Sequence, residues 1–376
     1  MIYRDELLGA SETFILRQAE ALREFRPVYV GLRRVEGLRV PETRCELLVK
    51  PGRLSRAQRF FYELCGPSDQ QVARVRALSP ALIHAHFGPD ATHAMPLAQA
   101  LGVPLLVTHH GYDVTTDDHA FARSARLRSY LRRRARLYES AALVLCVSRF
   151  VREKAVCKGA PPEKTLVHYI GIDTEVFTPD PVIERTGTVL FVGRLVENKG
   201  CEHLLRAMAL VQRSHPECCL VIIGDGPLRP RLEQTARELR LRHVSFLSTQ
   251  PTEVIREWMN RARVLCVPSV TVDSGASEGF GMVFAEAQAM GLPVASSETG
   301  GIPEAVVHGE TGLLARERDL LGLAQNNAAL LSDAAMWRRF SDAGRRRARE
   351  LFDIHRQTAV LEDIYRAVLQ RDLVAT

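Results

Sequence analysis

Short apolar runs alternate with amphipathic stretches from one end of this chain to the other, and no other feature of the sequence restricts its fold as strongly. That alternation is the pattern of an α/β protein with parallel sheets and helical crossovers. In the first half VYVGL (28–32), ALIHAHF (81–87), PLLVTH (104–109), LVLCVS (143–148) and TLVHYI (165–170) are predicted strands. In the second half TVLFVG (188–193), CLVIIG (219–224), VSFL (244–247), VLCVP (264–268) and PVASS (293–297) follow the same rule. The stretches between carry helical periodicity. Phe14, Leu16, Ala19 and Leu22 mark one face, and Leu204, Leu205, Met208 and Val211 mark another. Pro251 suits the first turn of a helix through EVIREWM. An α/β domain normally opens on a strand, yet only MIY precedes RDELLGASETFI, so the first strand is either very short or lost to the choice of start site.

The chain has 376 residues, more than one hydrophobic core usually holds. Between its halves, 171-GIDTEVFTPDPVIERTG-187 is rich in turn formers and poor in periodicity, and reads as a linker. The expected organisation is a domain over 1–180, a second over 181–352, and a terminal segment 353–376 whose helix is predicted over 353–370.

Composition narrows the class. With 46% hydrophobic and 25% charged residues the chain reads as soluble and globular. No apolar run approaches the roughly 18 residues of a membrane-spanning helix. The start MIYRDELLGA lacks an apolar signal core, and a cytoplasmic location is the expectation. The cysteines are scattered, and Cys218 and Cys219 sit in an apolar run as small hydrophobes. Net charge is +6, with arginine concentrated around 123–136 and 338–349. No nucleic-acid-binding motif accompanies it, so small phosphorylated ligands or an anionic membrane surface are the expected anionic partners.

The chemistry centres on 277-SEGFGMVFAEAQAMGLPVASS-297. A tight loop after Gly279 leads into a helix expected to begin near Met282 or Val283. A helix start offers bare N–H groups and partial positive charge to an anion. Gly279 and Gly281 let a ligand approach the backbone. Glu278 sits in the loop and Glu286 one turn into the helix. A glutamate beside a phosphate is suited to gripping hydroxyls, as an acid grips ribose in dinucleotide folds. Two of them flanking an anion site suit a nucleotide sugar. Taken alone, the pair also fits a plainer reading, with Glu278 capping the helix and Glu286 solvated. In 191-FVGRLVENKG-200, Arg194 and Lys199 occupy a strand-to-helix loop and suit phosphate oxygens, or serve simply as surface charges. Gly224 lies in the turn 223-IGDGP-227 after another strand. All these loops follow strands, so they gather at the carboxyl edge of one sheet.

Together FVGRLVENKG, IGDGP, PSVTVDSGASEGFGMVFAEAQAMGLPV and ETGGIPEAVVHGETGLL resemble the large retaining glycosyltransferase family of GT-B fold, often called family 4. SETFILRQAEAL, HAHFG and THHGYD resemble its branch that builds exopolysaccharides and related glycans, and GIDTEVFTP fits its linker. The resemblance implies an α/β GT-B architecture, two Rossmann-like domains with parallel sheets facing across a cleft, and a terminal helix that returns to the first domain. It implies Arg194 and Lys199 at the donor diphosphate, with Gly224 at the same sheet edge. Glu278, Gly279, Phe280, Gly281, Met282 and Val283 would hold the donor sugar, and Glu286 the ribose. On the acceptor side it implies His110 as a catalytic group, with His86 and Asp113 near it. Ser11, Glu12 and Thr13 stand where the family has a glycine-rich loop, which this chain lacks.

The implied reaction is transfer of a hexose-type sugar, with retention, from a nucleoside-diphosphate sugar to a glycan, lipid-linked or small-molecule acceptor, in exopolysaccharide or other cell-surface glycan assembly. No cofactor is expected beyond that donor. His84, His86, His109 and His110 could seat a cation, but no carboxylate spacing supports them, and no metal is expected. A GT-B epimerase or phosphorylase, or a non-catalytic nucleotide-sugar binder, shares part of this logic. The segment 122-ARSARLRSYLRRRARLY-138 carries seven arginines and the apolar stripe Leu127, Tyr130, Leu131 and Tyr138. It could lie on an anionic membrane at the inner face, or pack by its stripe on the first domain.

Overall fold

The structure, a computed structural model, describes residues 1–9 and 11–375. The chain forms two compact units, 1–171 with 354–376, and 172–353. The strands of the first are β1 (Ile2–Tyr3), β2 (Glu6–Leu7), β3 (Tyr29–Gly31), β4 (Arg33–Arg34), β5 (Cys45–Leu47), β6 (Ile83–His86), β7 (Leu105–His109), β8 (Leu143–Cys146) and β9 (Thr165–Val167). Those of the second are β10 (Thr188–Val192), β11 (Cys219–Ile223), β12 (Val244–Leu247), β13 (Val264–Cys266), β14 (Val294–Ser297) and β15 (Gly312–Ala315).

The first unit holds a seven-stranded sheet in the order β5-β3-β1-β6-β7-β8-β9, with β2 and β4 as a separate pair. All its pairings are parallel. The opening strand is very short, yet β1 sits inside the sheet, paired with β3 on one side and β6 on the other. Its Ile2 and Tyr3 are buried. The terminal helix Ile354–Ala375 belongs to this unit. Its Leu361, Tyr365 and Val368 share a core cluster with Leu82, Leu106, Leu143 and Leu145. Glu362 on the same helix accepts the backbone N–H groups of Arg23 (2.8 Å) and Glu24 (2.7 Å), which fixes the chain after the first helix.

The second unit carries a six-stranded parallel sheet in the order β12-β11-β10-β13-β14-β15. Leu204, Leu205, Met208 and Val211 are all buried in the helix Cys201–Ser214, as their spacing requires.

Four expectations are corrected. The unit boundary falls after Gly171 rather than after 180. The segment read as a linker, from 172 to 187, is pinned to the second unit, since Asp180 N–H donates to Asn260 Oδ1 (3.0 Å), Thr186 N–H donates to Arg261 O (2.8 Å), and Phe177 is buried. In the helix Thr13–Glu20 the buried residues are Ile15, Gln18 and Ala19, while Phe14 and Leu16 are only partly buried. Pro251 is the cap before the helix Thr252–Arg261, one position ahead of its first turn.

Candidate functional site

In the second unit the loops after β10, β11, β13 and β14 converge at the carboxyl edge of the sheet, and glycines make the convergence sterically feasible. A side chain at Gly224 (φ +144°) would meet Gly193 O at 2.0 Å, and one at Gly226 (φ +157°) would meet Leu195 O at 2.5 Å. The turn IGDGP is therefore more than an ordinary strand exit: it seats the FVGRL loop, and Leu195 N–H donates to Asp225 O (2.8 Å). Gly200 is left-handed (φ +68°), and a Cβ there would lie 1.8 Å from Pro268 O. That contact draws the Arg194–Lys199 loop against the segment after β13.

The predicted helix spans Met282–Ala289, with Gly281 at its cap in the left-handed region (φ +83°). No side chain caps it, and a helix start of this kind is where an external acceptor can bind backbone N–H groups. Phe280 is buried and packs edge-on against Phe352, with ring centres 5.0 Å apart, which anchors the loop. Gly279 is buried, while Met282, Val283 and Glu286 are half-buried at the helix start.

Lys199 Nζ lies 2.5 Å from Glu278 Oε2, and Ser269 Oγ donates to the same oxygen (3.2 Å). Two residues picked separately from sequence are thus direct neighbours. Arg194 is exposed in the same loop as Lys199. The backbone of Glu278 is also fixed: Gly301 N–H donates to its carbonyl (2.9 Å), and a Cβ at Gly300 would meet that oxygen at 2.3 Å.

Glu317 is a site-supporting residue that the sequence did not reveal. It accepts Thr271 N–H (3.0 Å) and Thr299 Oγ1 (2.7 Å), tying the post-β13 and post-β14 loops together. It lies nearly forty positions from Glu278, and no spacing rule links the two.

In the first unit a second cluster forms after β6 and β7. Asp113 is fully buried, and its carboxylate takes N–H bonds from Gly88 (2.9 Å), His110 (3.2 Å) and Gly111 (3.1 Å) and faces His109 Nδ1 at 2.5 Å. Burial alone would raise its pKa, but the neighbouring His109 and the donated N–H from Gly88 hold it down to about 2. His110 Nε2 is 3.0 Å from His86 Nδ1, and its ring lies between Phe14 (centroids 4.9 Å) and Phe87 (4.5 Å). Burial depresses His110 to a pKa of about 3, with Arg4 and His109 adding to the effect against the pull of Asp113. Burial pushes His86 well down too. Both rings are therefore neutral at physiological pH. Among the described residues, His86 Nε2 and His110 Nδ1 have no hydrogen-bond partner.

Of the SETFI residues, Ser11 is exposed, Glu12 is the helix cap and Thr13 opens the helix. Glu12 is bound by Arg4 (2.5 Å), which also pairs with Asp90. Phe14 brings this segment against His110, but Glu12 is already engaged. Arg4, Asp90 and Phe87 were not legible from sequence; the positive φ of Phe87 (+69°), unusual for a non-glycine, marks the turn only in three dimensions. Among the described residues no group of three or more His, Cys, Asp or Glu is arranged to hold a metal.

The aromatic stripe of the Arg-rich helix Ala125–Ser140 points inward. Tyr130 and Tyr138 are buried, with Tyr130 OH donating to Asp113 O (3.3 Å) and Tyr138 OH 3.2 Å from His109 Nε2. The stripe buttresses the histidine cluster and is closed to an outside surface.

Two parallel-sheet units with loops gathered in this way define a GT-B fold, and solved structures agree. HepE of Anabaena, crystallised with UDP, superposes with a TM-score of 0.79 at 20% identity, covering 97% of this chain and 99% of that one. Sucrose-phosphate synthase of Thermosynechococcus elongatus gives 0.77 at 23% identity, covering 98% and 99%. The model of "Glycosyl transferases group 1" matches residues 174–347, and that of "Glycosyltransferase Family 4" matches 11–176. A GDP-mannose-dependent α-(1-6)-phosphatidylinositol monomannoside mannosyltransferase of Mycolicibacterium smegmatis is 33% identical over 275 residues, 69% of this chain and 70% of that protein. The amylovoran biosynthesis glycosyltransferase AmsK of Erwinia amylovora is 31% identical over 64% of this chain and 58% of its own. The chain belongs to glycosyltransferase family 4, of GT-B fold.

Proposed function

We propose that this glycosyltransferase moves a hexose-type sugar, with retention, from a nucleoside-diphosphate sugar to a hydroxyl of a glycan or lipid-linked acceptor in cell-surface polysaccharide assembly. The observation that carries the reading is the uncapped helix start at Met282, with Lys199 and Glu278 in contact beside it and Glu286 one turn in. Cation, backbone donors and paired hydroxyl acceptors are what a sugar diphosphate needs. The names of relatives support the donor and acceptor classes: a GDP-mannose-dependent enzyme acting on a phosphatidylinositol mannoside, and glycosyltransferases of amylovoran and colanic acid biosynthesis. HepE, of the same fold, was solved with UDP-glucose.

The C1–O bond to the diphosphate breaks as charge grows on the leaving oxygen. Arg194, Lys199 and the helix start stabilise that charge, usually the largest catalytic contribution. The acceptor oxygen bonds to C1 from the same face, and its proton passes to the leaving phosphate oxygen. Glu278 holds sugar hydroxyls and Glu286 the ribose. His110, neutral and fixed by His86, serves a hydroxyl on the acceptor side by hydrogen bonding. No metal is needed, because Arg194 and Lys199 supply the positive charge.

The test is a panel of UDP-, GDP-, ADP- and dTDP-hexoses, following diphosphate release and the anomeric configuration of the product. Release from one donor class with a retained anomer supports the reading. Inversion would remove the same-face route. Binding without release from any donor would favour a non-catalytic binder.

A further inference from the structure

The helix Ser55–Cys65 buries only Tyr62, whose hydroxyl donates to His93 O (3.1 Å). At 3.6 residues per turn, Ala57, Phe60, Phe61, Leu64 and Cys65 share one arc about 140° wide. Leu54, at the cap, falls in the same sector. Surface helices normally turn such an arc inward, but this one faces out: Leu54 is 69% exposed, and Phe60, Phe61 and Leu64 are 61% exposed each. Large contiguous apolar exposure of this kind marks an interaction surface.

Its surroundings are basic. Lys50, Arg53 and Arg56 are exposed around it, and the single acid of the helix, Glu63, is already paired with Arg59 (2.6 Å). Arg133 of the helix Ala125–Ser140 donates to Leu64 O (3.5 Å), which joins the two helices into one surface. Arg132, Arg133 and Arg136 share an arc about 100° wide on that second helix. Its own tyrosines are spent on the histidine cluster, so the apolar part of the surface comes from the first helix alone.

We propose that this face docks the protein onto an anionic lipid bilayer. Phe60, Phe61, Leu64 and Leu54 enter the boundary between headgroups and acyl chains, while the basic rim meets acidic headgroups. Charge complementarity selects this occupant over a second copy of the chain, since two such faces would bring like-charged rims together. Contact is peripheral: among the described residues no helix is long and apolar enough to cross a membrane. The proposal stands independently of the transfer reaction, because it concerns a surface remote in sequence from the donor loops.

Vesicle flotation tests it, using phosphatidylcholine vesicles with and without phosphatidylglycerol. The wild type is expected to float with the anionic vesicles only, and to be released by high salt as screening shortens. Phe60→Ser/Phe61→Ser and, separately, Arg132→Glu/Arg136→Glu should each lower the bound fraction about tenfold or more. Leu321→Ser, at an exposed apolar residue of the second unit, should leave it unchanged. Unaltered melting of the variants confirms that folding is intact. Wild-type protein that ignores anionic vesicles, or both double variants floating like wild type, would overturn the proposal. So would self-association in sedimentation that Phe60→Ser/Phe61→Ser abolishes and vesicles do not compete with, since it would assign the face to a second copy.

Discussion

Lys199→Ala separates the structural from the catalytic use of one ion pair. Lys199 Nζ sits 2.5 Å from Glu278 Oε2, and the two side chains are only 18% and 11% exposed. Removing the lysine leaves the Glu278 carboxylate with the Ser269 hydroxyl as its remaining partner at that oxygen. A charged hydrogen bond of this kind contributes about 1.5–3 kcal/mol. For a unit of this size the loss corresponds to a drop of roughly 3–12 °C in Tm, at about 2–4 °C per kcal/mol. Turnover should fall further, by about 10²–10³-fold, if the ammonium stabilises charge on the leaving diphosphate. Lys199→Met keeps an apolar stem beside Gly193 and should lose the same turnover. Combining Lys199→Met with Glu278→Gln removes both charges together. Stability should then largely return, because losing both partners is close to neutral, while activity should not. Melting curves and steady-state kinetics on the four proteins decide the matter. Turnover of Lys199→Met within tenfold of wild type, alongside the expected fall in Tm, would refute the electrostatic assignment.

Three further outcomes are expected. Gly200→Ala, whose Cβ would lie 1.8 Å from Pro268 O, should destabilise far more than Gly102→Ala, where φ is similar (+69°) and nothing lies within 4 Å; equal Tm shifts would remove the close-approach argument. His110, with its pKa lowered from 6.5 to about 3, binds fewer protons folded than unfolded between those values, so stability must rise with pH across that interval. Its contribution is complete above about pH 6.5 and declines on acidification, by roughly 2 kcal/mol at pH 5. His110→Gln should show a shallower decline in denaturant melts between pH 7 and 5, and an unchanged slope would contradict the burial argument. Finally, transfer should persist in excess EDTA; loss that only a divalent cation restores would overturn the metal-independent reading.

The sequence showed a good deal of this architecture, for reasons of length and periodicity. Apolar runs such as TVLFVG and PLLVTH are long enough to declare themselves, and β10 and β7 lie within them. β5 did not declare itself, and MIY left open whether β1 was very short or missing, because two- or three-residue strands have no period to read. The helix start at Met282 was legible from its glycines and the small residues behind it. Glu317 and Arg4 were not, since their importance comes from contacts between distant loops. The exposed face of the helix Ser55–Cys65 was missed for a different reason: an amphipathic pattern is the same whether its apolar side turns in or out. Only the fold decides which, and here Tyr62 alone turns in.

The central claim is that the Met282 helix start and its two glutamates hold a nucleoside diphosphate. Thermal shifts of wild type and Glu286→Ala with UDP, GDP, ADP and dTDP test it most directly. Ligand at about 100 times its dissociation constant adds about 2.7 kcal/mol, a rise of roughly 5–11 °C in a unit of this size. Such a rise is expected for one base in the wild type, and its loss in Glu286→Ala. No rise with any diphosphate, or an undiminished rise in the variant, would contradict the claim.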